Sequence, residues 1–316
     1  EFDLEGVNFN TFRTGDKIKI GTVEVEPVHV DHSVPGAYGF LIHTSSGTVA
    51  YTGDFRLHGS KPEMSEDFIR ATAGSRPIAL ITEATNMMGA ELSSEQEVEE
   101  KICRLIEETP GLVLADFAGA DVDRLNSFRR ACGRCGRKLA VTMRQAHLMR
   151  RLRGDPRLEV PDIQDEGILV FKKEKKRYFH WEREIVGLGK TVDASHVAGM
   201  QDRIVLVCSF YDFEELVDIK PLPESCYVLS ASEPYDEEME LDFERLTNWL
   251  VYYGLPQYHI HVSGHIMPLQ LRQALRTMGA KKVFPVHSQH PQLFDRFTRN
   301  TASTTVLVEK GREYAL

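Results

Sequence analysis

Cysteine, tryptophan and long apolar runs are all scarce in this chain of 316 residues, which has five cysteines and two tryptophans. An odd and sparse set of cysteines does not suit a disulfide framework and indicates a reducing compartment. An apolar run as long as any, Ile204–Cys208, is far too short to cross a bilayer. No charged-then-apolar leader opens the sequence. We therefore expect a cytoplasmic protein without a membrane partner.

An excess of positive charge is also missing, because the formal net charge is −9. That balance would argue against a nucleic-acid partner, but the charge is unevenly spread. Residues 129–157 hold ten Lys or Arg and one acid, whereas residues 212–245 hold twelve acids and two bases. A basic stretch inside an acidic protein can lie along a phosphate backbone, and a solvated helix face is the alternative interpretation.

The composition, 42% apolar and 27% charged, is that of a globular protein with room for one large domain or two ordinary ones. Alternating residues within 17–55 predict strands. Further along, short apolar runs predict strands in residues 77–86, 111–117, 138–142, 167–171, 204–210, 226–232, 259–265 and 283–287. Helical spacing predicts helices in residues 93–108, 120–132, 144–152, 242–254 and 269–280. This alternation predicts a parallel sheet with helices on its faces.

Polar side chains capable of catalysis follow five of the predicted strands: His32, Asp54, Glu83, His265 and His287. Open α/β sheets carry their chemistry at such strand ends. One histidine there is usually a capping or solvent-facing residue, but five such positions together favour a shared site. Histidine and aspartate suit zinc, and a carboxylate can bridge two metals about 3.5–4 Å apart. A histidine oriented by a carboxylate can donate a proton, which is the role we expect for His265 with Glu83.

Five strings occur in one order along the chain: HVDHSVPGAYGF, YTGDFR, TEATN, HVSGH and FPVH. Together they resemble the β-CASP branch of the metallo-β-lactamase fold, nearest to the archaeal and bacterial RNase J nucleases. The resemblance covers nearly the whole chain. It implies an α/β fold: a metallo-β-lactamase αββα sandwich, with its N-terminal portion missing, and an inserted β-CASP domain on a mostly parallel sheet flanked by helices. The implied domains are residues 1–88 with 254–316, and the insertion 89–253.

The same resemblance implies roles for the site residues. His32, Asp54 and His287 would ligate two zinc ions, with Asp54 bridging both. Glu83 and His265 would assist the leaving oxygen, so the expected catalytic residues are Glu83, His265 and Asp54. The expected phosphate or RNA contacts are Ser263, Gly264, His261 and Ser230. A turn containing glycine can offer backbone N–H groups to an anion, although an ordinary tight turn is the alternative.

The implied function is a zinc-dependent ribonuclease that hydrolyses single-stranded RNA with a metal-activated water, from the 5′ end, internally, or in both modes. In this family a histidine at the position of His287 accompanies RNA processing, which favours RNA over DNA. Two alternatives stay open: a DNA nuclease of the same superfamily, and a catalytically inactive RNA-binding scaffold. A homodimer is compatible with the sequence.

The leading signature of the family, His-x-His-x-Asp-His, is absent from these 316 residues, and Pro27 stands where PVHVDH would need its first histidine. Either the sequence is the remainder of a longer enzyme, or the protein is a natural, metal-poor relative. We expect the first: an intact protein that is an active nuclease with two zinc ions, and a segment that alone lacks a complete metal site and binds metal poorly.

Two weaker motifs have ordinary interpretations. Cys132-Gly-Arg-Cys135 has zinc-ribbon spacing but lacks a suitably placed second pair, so a helix end followed by a turn is expected. KKEKKRYFHW, residues 172–181, mixes bases with aromatics. That mixture could grip phosphates and stack bases, or form a charged hairpin.

Overall fold

Fourteen strands and ten α-helices lie within residues 6–88, 93–156, 158–231 and 237–315, the part of the chain that the computed structural model describes. The strands are β1 (Ile18–Ile20), β2 (Val23–His29), β3 (Tyr38–Thr44), β4 (Gly47–Tyr51), β5 (Ala79–Glu83), β6 (Val113–Asp116), β7 (Lys138–Thr142), β8 (Ile168–Phe171), β9 (Thr191–Val192), β10 (Ile204–Val207), β11 (Cys226–Leu229), β12 (Gln257–His259), β13 (Lys282–Val286) and β14 (Thr304–Thr305). The helices are α1 (Pro62–Ser75), α2 (Glu95–Glu108), α3 (Val122–Arg134), α4 (Met143–Leu152), α5 (His180–Leu188), α6 (Ala194–Ala198), α7 (Leu216–Ile219), α8 (Glu237–Tyr253), α9 (Pro268–Met278) and α10 (Pro291–Thr298).

The chain divides into two units. Unit 1 comprises Glu1–His32, Gly36–Leu92 and Gly264–Leu316, and unit 2 comprises Ser33–Pro35 and Ser93–Ser263. The domains expected from the sequence, 1–88 with 254–316 and 89–253, stay a prediction. Their first boundary falls at residues 89–92, which lie outside the described residues.

Unit 1 is built on a seven-stranded mixed sheet in the order β1-β2-β3-β4-β5-β13-β14. Strands β1 to β4 are antiparallel neighbours, whereas β4, β5, β13 and β14 pair in parallel. Apolar residues of the strands pack with those of α1 and α9 into one core cluster, which includes Leu41, Phe68, Leu80, Leu275 and Val283. Since β2 runs in the same direction as β4, the carboxyl ends of β2, β4, β5 and β13 all lie at one edge of the sheet.

Unit 2 is built on a seven-stranded sheet in the order β12-β11-β6-β10-β7-β8-β9, and every pairing in it is parallel. The central strands are continuous apolar runs, and β8, β10 and β11 are buried along their whole length. Such runs are typical of parallel sheets that are covered on both faces. The predicted parallel sheet with flanking helices is confirmed.

Local signals explain where the helices begin and end. The Ser94 hydroxyl accepts a hydrogen bond from the backbone N–H of Glu97 at 3.2 Å, so Ser94 caps α2. Helix α4 begins with a capping box between Thr142 and Gln145. Helix α9 ends at Gly279, which has a φ of +63° that favours glycine. Across the described ranges, no helix combines the length and apolar character needed to cross a membrane.

The charged hairpin considered for residues 172–181 is wrong. Residues 172–179 form an irregular segment, and His180 and Trp181 begin α5. The strand before them, β8, pairs in parallel with β7 and β9 and so is not part of a hairpin. The Glu182 side chain accepts from the backbone N–H of Phe179 at 2.8 Å and from Lys175 Nζ at 2.5 Å. One carboxylate therefore caps the new helix and neutralises a base of the preceding run.

Candidate functional site

Three expected site residues come from the ends of three neighbouring parallel strands. Glu83 is the last residue of β5, His287 directly follows β13, and Asp54 follows β4 after a short turn. The pairings β4–β5 and β5–β13 place these strands side by side in parallel. Their carboxyl ends therefore meet at one edge, the usual location of chemistry in such sheets.

A glycine turn sets the position of Asp54. Gly53 has a φ of +58°, and a Cβ built on it would lie 2.7 Å from the carbonyl oxygen of Tyr38 on β3. The preceding residue, Thr52, donates its backbone N–H to the Ile81 carbonyl at 3.0 Å, which ties the turn to β5. The conformation and the lack of space both require glycine at this position.

His287 reaches Asp54 from an unusual backbone conformation. Its φ of +51° lies in the left-handed region, which is uncommon for residues other than glycine. The imidazole Nδ1 lies 3.2 Å from Asp54 Oδ1, and the His287 side chain is 56% exposed. The Thr85 hydroxyl donates to the His287 carbonyl oxygen at 3.1 Å and lies 3.3 Å from His287 Nδ1, so it contacts both the backbone and the ring of His287.

Glu83 and His265 form a buried carboxylate–histidine pair. The Glu83 side chain, 1% exposed, accepts from the backbone N–H of Phe55 at 2.8 Å through Oε1, and its Oε2 lies 3.1 Å from His265 Nδ1. Burial of the ring lowers the pKa of His265, but the hydrogen bond and charge of Glu83 outweigh burial and raise that pKa above its ordinary value. Asn86 donates to the His265 carbonyl at 2.8 Å and fixes the loop.

His32 lies beside this pair, three residues beyond the end of β2. Its Nδ1 is 2.6 Å from the carbonyl oxygen of Gly264, so the ring donates there from Nδ1. Its ring centroid is 5.2 Å from that of His265, which in turn is 5.1 Å from that of His287. Burial lowers the pKa of His32, more than the Gly264 carbonyl raises it, and so favours the neutral imidazole that binds metals.

The ligand atoms of Asp54, His265 and His287 all lie within 4.8 Å of one another. One carboxylate oxygen and two imidazole nitrogens are a donor set that zinc accepts, so the residues fit a metal ion. The expected ligand set was His32, Asp54 and His287. The structure brings His32, Asp54, His265 and His287 close together. The compact group of three contains His265, which was expected to be a proton donor, in place of His32. The role of each residue stays a prediction.

A buried ion pair that sequence reasoning missed supports the loops carrying His32 and Asp54. Arg56 Nε donates to Asp31 Oδ1 at 3.1 Å, and the two side chains are 0% and 3% exposed. Backbone hydrogen bonds reinforce the pair, since Arg56 N–H donates to the Asp31 carbonyl at 2.8 Å. Each residue neighbours a site residue in sequence, within HVDH and TGDFR. The opposite charges of Asp31 and Arg56 within these two motifs were the signal that could have revealed the ion pair.

The residues expected to contact RNA have two different settings. Ser230, 1% exposed, follows β11 in unit 2; its hydroxyl donates to the Ile260 carbonyl at 2.5 Å and accepts from Arg124 Nη1 at 2.6 Å. His261 lies against the same guanidinium, with Nδ1 3.3 Å from Nη1. Burial, and then the charge of Arg124, lower the pKa of His261 to about 4. Ser263 ends unit 2 and Gly264 begins the last segment of unit 1.

Arg124 is itself a feature that sequence reasoning missed. It is 0% exposed and donates to both carboxylate oxygens of Glu95, at 2.8 and 3.1 Å. The same guanidinium donates to the Ser230 carbonyl at 2.7 Å. One arginine therefore connects α2, α3 and the residues after β11 and β12. Nothing in the spacing of Glu95 and Arg124 along the chain points to this contact.

The two sheets and the strand-end residues define a class. The chain is a mixed α/β protein consistent with a metallo-β-lactamase and β-CASP type of fold, as expected. One solved structure has a similar fold: the crystal structure of a protein of unknown function from Enterococcus faecalis V583 matches with a TM-score of 0.76 and 20% identity. That match covers 97% of this chain and 66% of the solved chain. At this identity the likeness shows the fold alone.

Curated relatives named ribonuclease J match most of the chain. The protein from Sinorhizobium meliloti is 25% identical over 89% of this chain. The protein from Thermus thermophilus is 26% identical over 100% of this chain. Ribonuclease J 2 of Streptococcus pyogenes is 23% identical over 90% of the chain. No protein-family model matches. The expected resemblance to the RNase J group is confirmed, at low identity. The chain spans about half the length of these relatives: 49%, 55% and 51%.

Proposed function

We propose that this chain is part of a metal-dependent enzyme that hydrolyses phosphodiester bonds of single-stranded RNA. The observation that carries the proposal is the convergence of Asp54, His265 and His287 at one sheet edge, with Glu83 behind His265. A small-molecule hydrolase would need similar donors, but the similarity to proteins named ribonuclease J favours RNA as the substrate.

Asp54, His287 and His32 are the residues of this chain that would hold zinc, and His265 lies beside them as the proton donor. Zinc, when bound, lowers the pKa of a water ligand and stabilises negative charge on an attacked phosphate. Because the sequence has no His-x-His-x-Asp-His string, we expect further donors from outside residues 1–316. Two zinc ions would then be held per complete site.

Glu83 and His265 supply proton transfer that does not depend on a metal. The carboxylate holds Nδ1 of the ring, so proton exchange at His265 takes place at Nε2. A raised pKa keeps a larger fraction of the ring protonated near neutral pH, which suits an acid that protonates a leaving oxygen. Glu83 is a positioning residue, because it acts through the orientation and charge of the imidazole.

Ser230, His261 and Ser263 of unit 2 and Gly264 of unit 1 are the residues whose contacts we assign to RNA. Ser263 and Gly264 form the turn that offers a hydroxyl and backbone N–H groups to a phosphate. Ser230 and His261 act on the same segment from within, because Ser230 fixes the Ile260 carbonyl and His261 lies against Arg124. The basic residues of 129–157 attract the RNA backbone. A reducing cytoplasm and a homodimer complete the proposed setting.

Hydrolysis is measured on the product of the natural gene and on this chain in parallel, with matched RNA and DNA single strands and added zinc or manganese. We expect RNA to be cleaved by the natural product. Glu83→Gln and His265→Ala should lower the rate, by about 10–100-fold for the positioning residue and about 100-fold or more for the acid. Labels at the 5′ and 3′ ends distinguish attack at an end from internal cleavage.

The control variant is Glu63→Gln. Glu63 is an acid in the first turn of α1, in the same unit, and is not part of the cluster. It should leave the rate unchanged. Preferential cleavage of DNA would replace the RNA assignment. If the protein bound RNA without cleaving it, and His287→Ala left every measured property unchanged, the protein would be an inactive scaffold instead.

A further inference from the structure

A second cluster of metal-ligating side chains lies in unit 2, formed by α2 and the end of α3. Cys103 and Glu107 are four residues apart on α2 and therefore share a face of the helix. Cys135 directly follows α3 as its C-cap, and its backbone N–H donates to the Ala131 carbonyl at 3.1 Å. The sequence paired Cys135 with Cys132 as a possible ribbon, but the structure brings Cys135 to Cys103 instead.

The three ligand atoms form a nearly regular triangle. The Sγ atoms of Cys103 and Cys135 are 3.5 Å apart, and Glu107 Oε1 lies 3.5 Å from the first sulfur and 3.9 Å from the second. A tetrahedral zinc ion with ordinary bond lengths separates two sulfur ligands by about 3.8 Å and a sulfur from an oxygen by about 3.6 Å. The observed edges of 3.5, 3.5 and 3.9 Å lie within about 0.3 Å of one face of such a tetrahedron.

We infer that Cys103, Cys135 and Glu107 form a binding site for a thiophilic divalent cation, with zinc as the physiological candidate. Two thiolates select soft or borderline ions over magnesium and calcium, which prefer oxygen ligands. Cys103 is buried, whereas Cys135 is partly exposed and Glu107 is exposed. Solvent can therefore supply the fourth ligand as water. The ion would clip the end of α3 to the middle of α2.

This site differs in chemistry from the histidine and aspartate cluster of unit 1. The donors of unit 1 are nitrogen and oxygen, and only the site in unit 2 contains sulfur. Cobalt(II) distinguishes the two, because only cobalt bound to thiolate gives an intense sulfur-to-metal charge-transfer band in the near ultraviolet. Cobalt(II) also prefers similar tetrahedral sites. Zinc displaces it because zinc binds such sites more tightly.

The test titrates the reduced, chelator-treated 316-residue chain with Co²⁺ and then with Zn²⁺. We expect one thiolate charge-transfer band that saturates at one cobalt per chain and disappears when zinc is added. Cys135→Ser and Cys103→Ser should abolish the band, and Glu107→Gln should weaken cobalt binding by about tenfold or more. Zinc should also raise the thermal midpoint of the wild-type chain more than that of Cys135→Ser.

Three controls isolate the cluster. Cys132→Ala removes the nearest other thiol on α3, Glu108→Gln neutralises the neighbouring acid of α2, and Asp54→Asn removes a donor of unit 1. All three should retain the band. Circular dichroism checks the fold, and the partly exposed Cys135 provides the variant that folds if Cys103→Ser does not. No charge-transfer band in the wild-type chain, or a band that survives Cys135→Ser, would overturn the inference. A third result would also overturn it: the reduced chain binds no cobalt, but peroxide forms a Cys103–Cys135 disulfide. The pair would then be redox-active and not a metal site.

Discussion

At the scale of single residues, His287 carries a backbone conformation that costs stability. A non-glycine residue in the left-handed region is disfavoured by about 1 kcal/mol or more, and His287 has a φ of +51°. Such outliers persist where surrounding contacts impose them, and here Thr85 and Asp54 both hold the residue. The strain directs the imidazole toward the aspartate.

Two substitutions separate this strain from the chemistry. His287→Gly and His287→Ala both remove the imidazole, but only glycine relieves the backbone. We expect the glycine variant to be more stable than the alanine variant by about 1 kcal/mol. Urea unfolding of the two variants measures the difference, and both should bind metal equally weakly. Equal stability of the two would show that the turn is not strained.

The site was predictable from sequence only in part. Single acids and histidines after apolar runs located His32, Asp54, Glu83, His265 and His287. The contacts of Arg124 with Glu95 and of Cys135 with Cys103 were not predictable, because they join residues 29 and 32 positions apart through helix packing. Spacing along the chain carries no signal for such pairs. Ser230 is buried and hydrogen-bonded in the structure, and its expected RNA contact stays a prediction.

At the scale of elements, the helices α1, α5 and α10 were missed by sequence reasoning for different reasons. Helix α1 buries Ser65, Phe68, Ile69 and Thr72, so two of its four buried positions are polar and the apolar stripe is interrupted. Helix α5 follows a basic run that hid its start, and α10 is only eight residues long. Helices with continuous stripes and side-chain caps, such as α2 and α4, were predictable.

Strands β6 and β11 are linked by a pair whose charge depends on pH. Tyr227 of β11 donates its hydroxyl to Asp116 Oδ2 of β6 at 2.5 Å. Burial raises the pKa of Asp116 from 3.8 to about 6. The folded state therefore holds this proton more tightly than the unfolded state does. Its contribution to stability is fully present below about pH 4 and is lost as the pH rises to about 6.

Asp116→Asn removes the charge and keeps an oxygen that can accept from Tyr227. We expect the variant to gain stability relative to the wild type at pH 8, by about 3 kcal/mol, and to lose that advantage near pH 4. Urea unfolding at several pH values measures the difference. The same substitution at the exposed Asp218 controls for the loss of one negative charge. An advantage that grows as the pH falls would contradict the sign.

At the scale of the whole chain, positive charge is concentrated in one stretch of an acidic protein. Many bases of residues 129–157 are already paired, such as Arg130 with Glu99, Arg150 with Glu184 and Arg153 with Asp162. Arg144 and Arg151 of α4 are exposed. Because helix α4 is capped by Thr142 and Gln145, these two arginines are held on a defined surface.

We expect the double variant Arg144→Gln/Arg151→Gln to bind single-stranded RNA more weakly than the wild-type chain. If both arginines contact phosphates, the slope of log affinity against log salt should fall by about 1.4, which is about 0.7 for each contact. Filter binding at several salt concentrations measures the slope. The charge-matched variant Arg70→Gln/Arg299→Gln, in unit 1, should leave the slope unchanged. An unaltered slope in the α4 variant would place the RNA path elsewhere.

The position of β10 has a consequence for the order in which unit 2 can be assembled. Its residues, Ile204–Val207, lie between β6 and β7, although both of those strands precede it by more than sixty residues in the chain. A growing polypeptide therefore cannot complete the middle of this sheet until residue 207 has left the ribosome. Until then the edges of β6 and β7 are open and prone to wrong pairings. Synthesis should thus favour a late, cooperative closure of unit 2 once β10 is available.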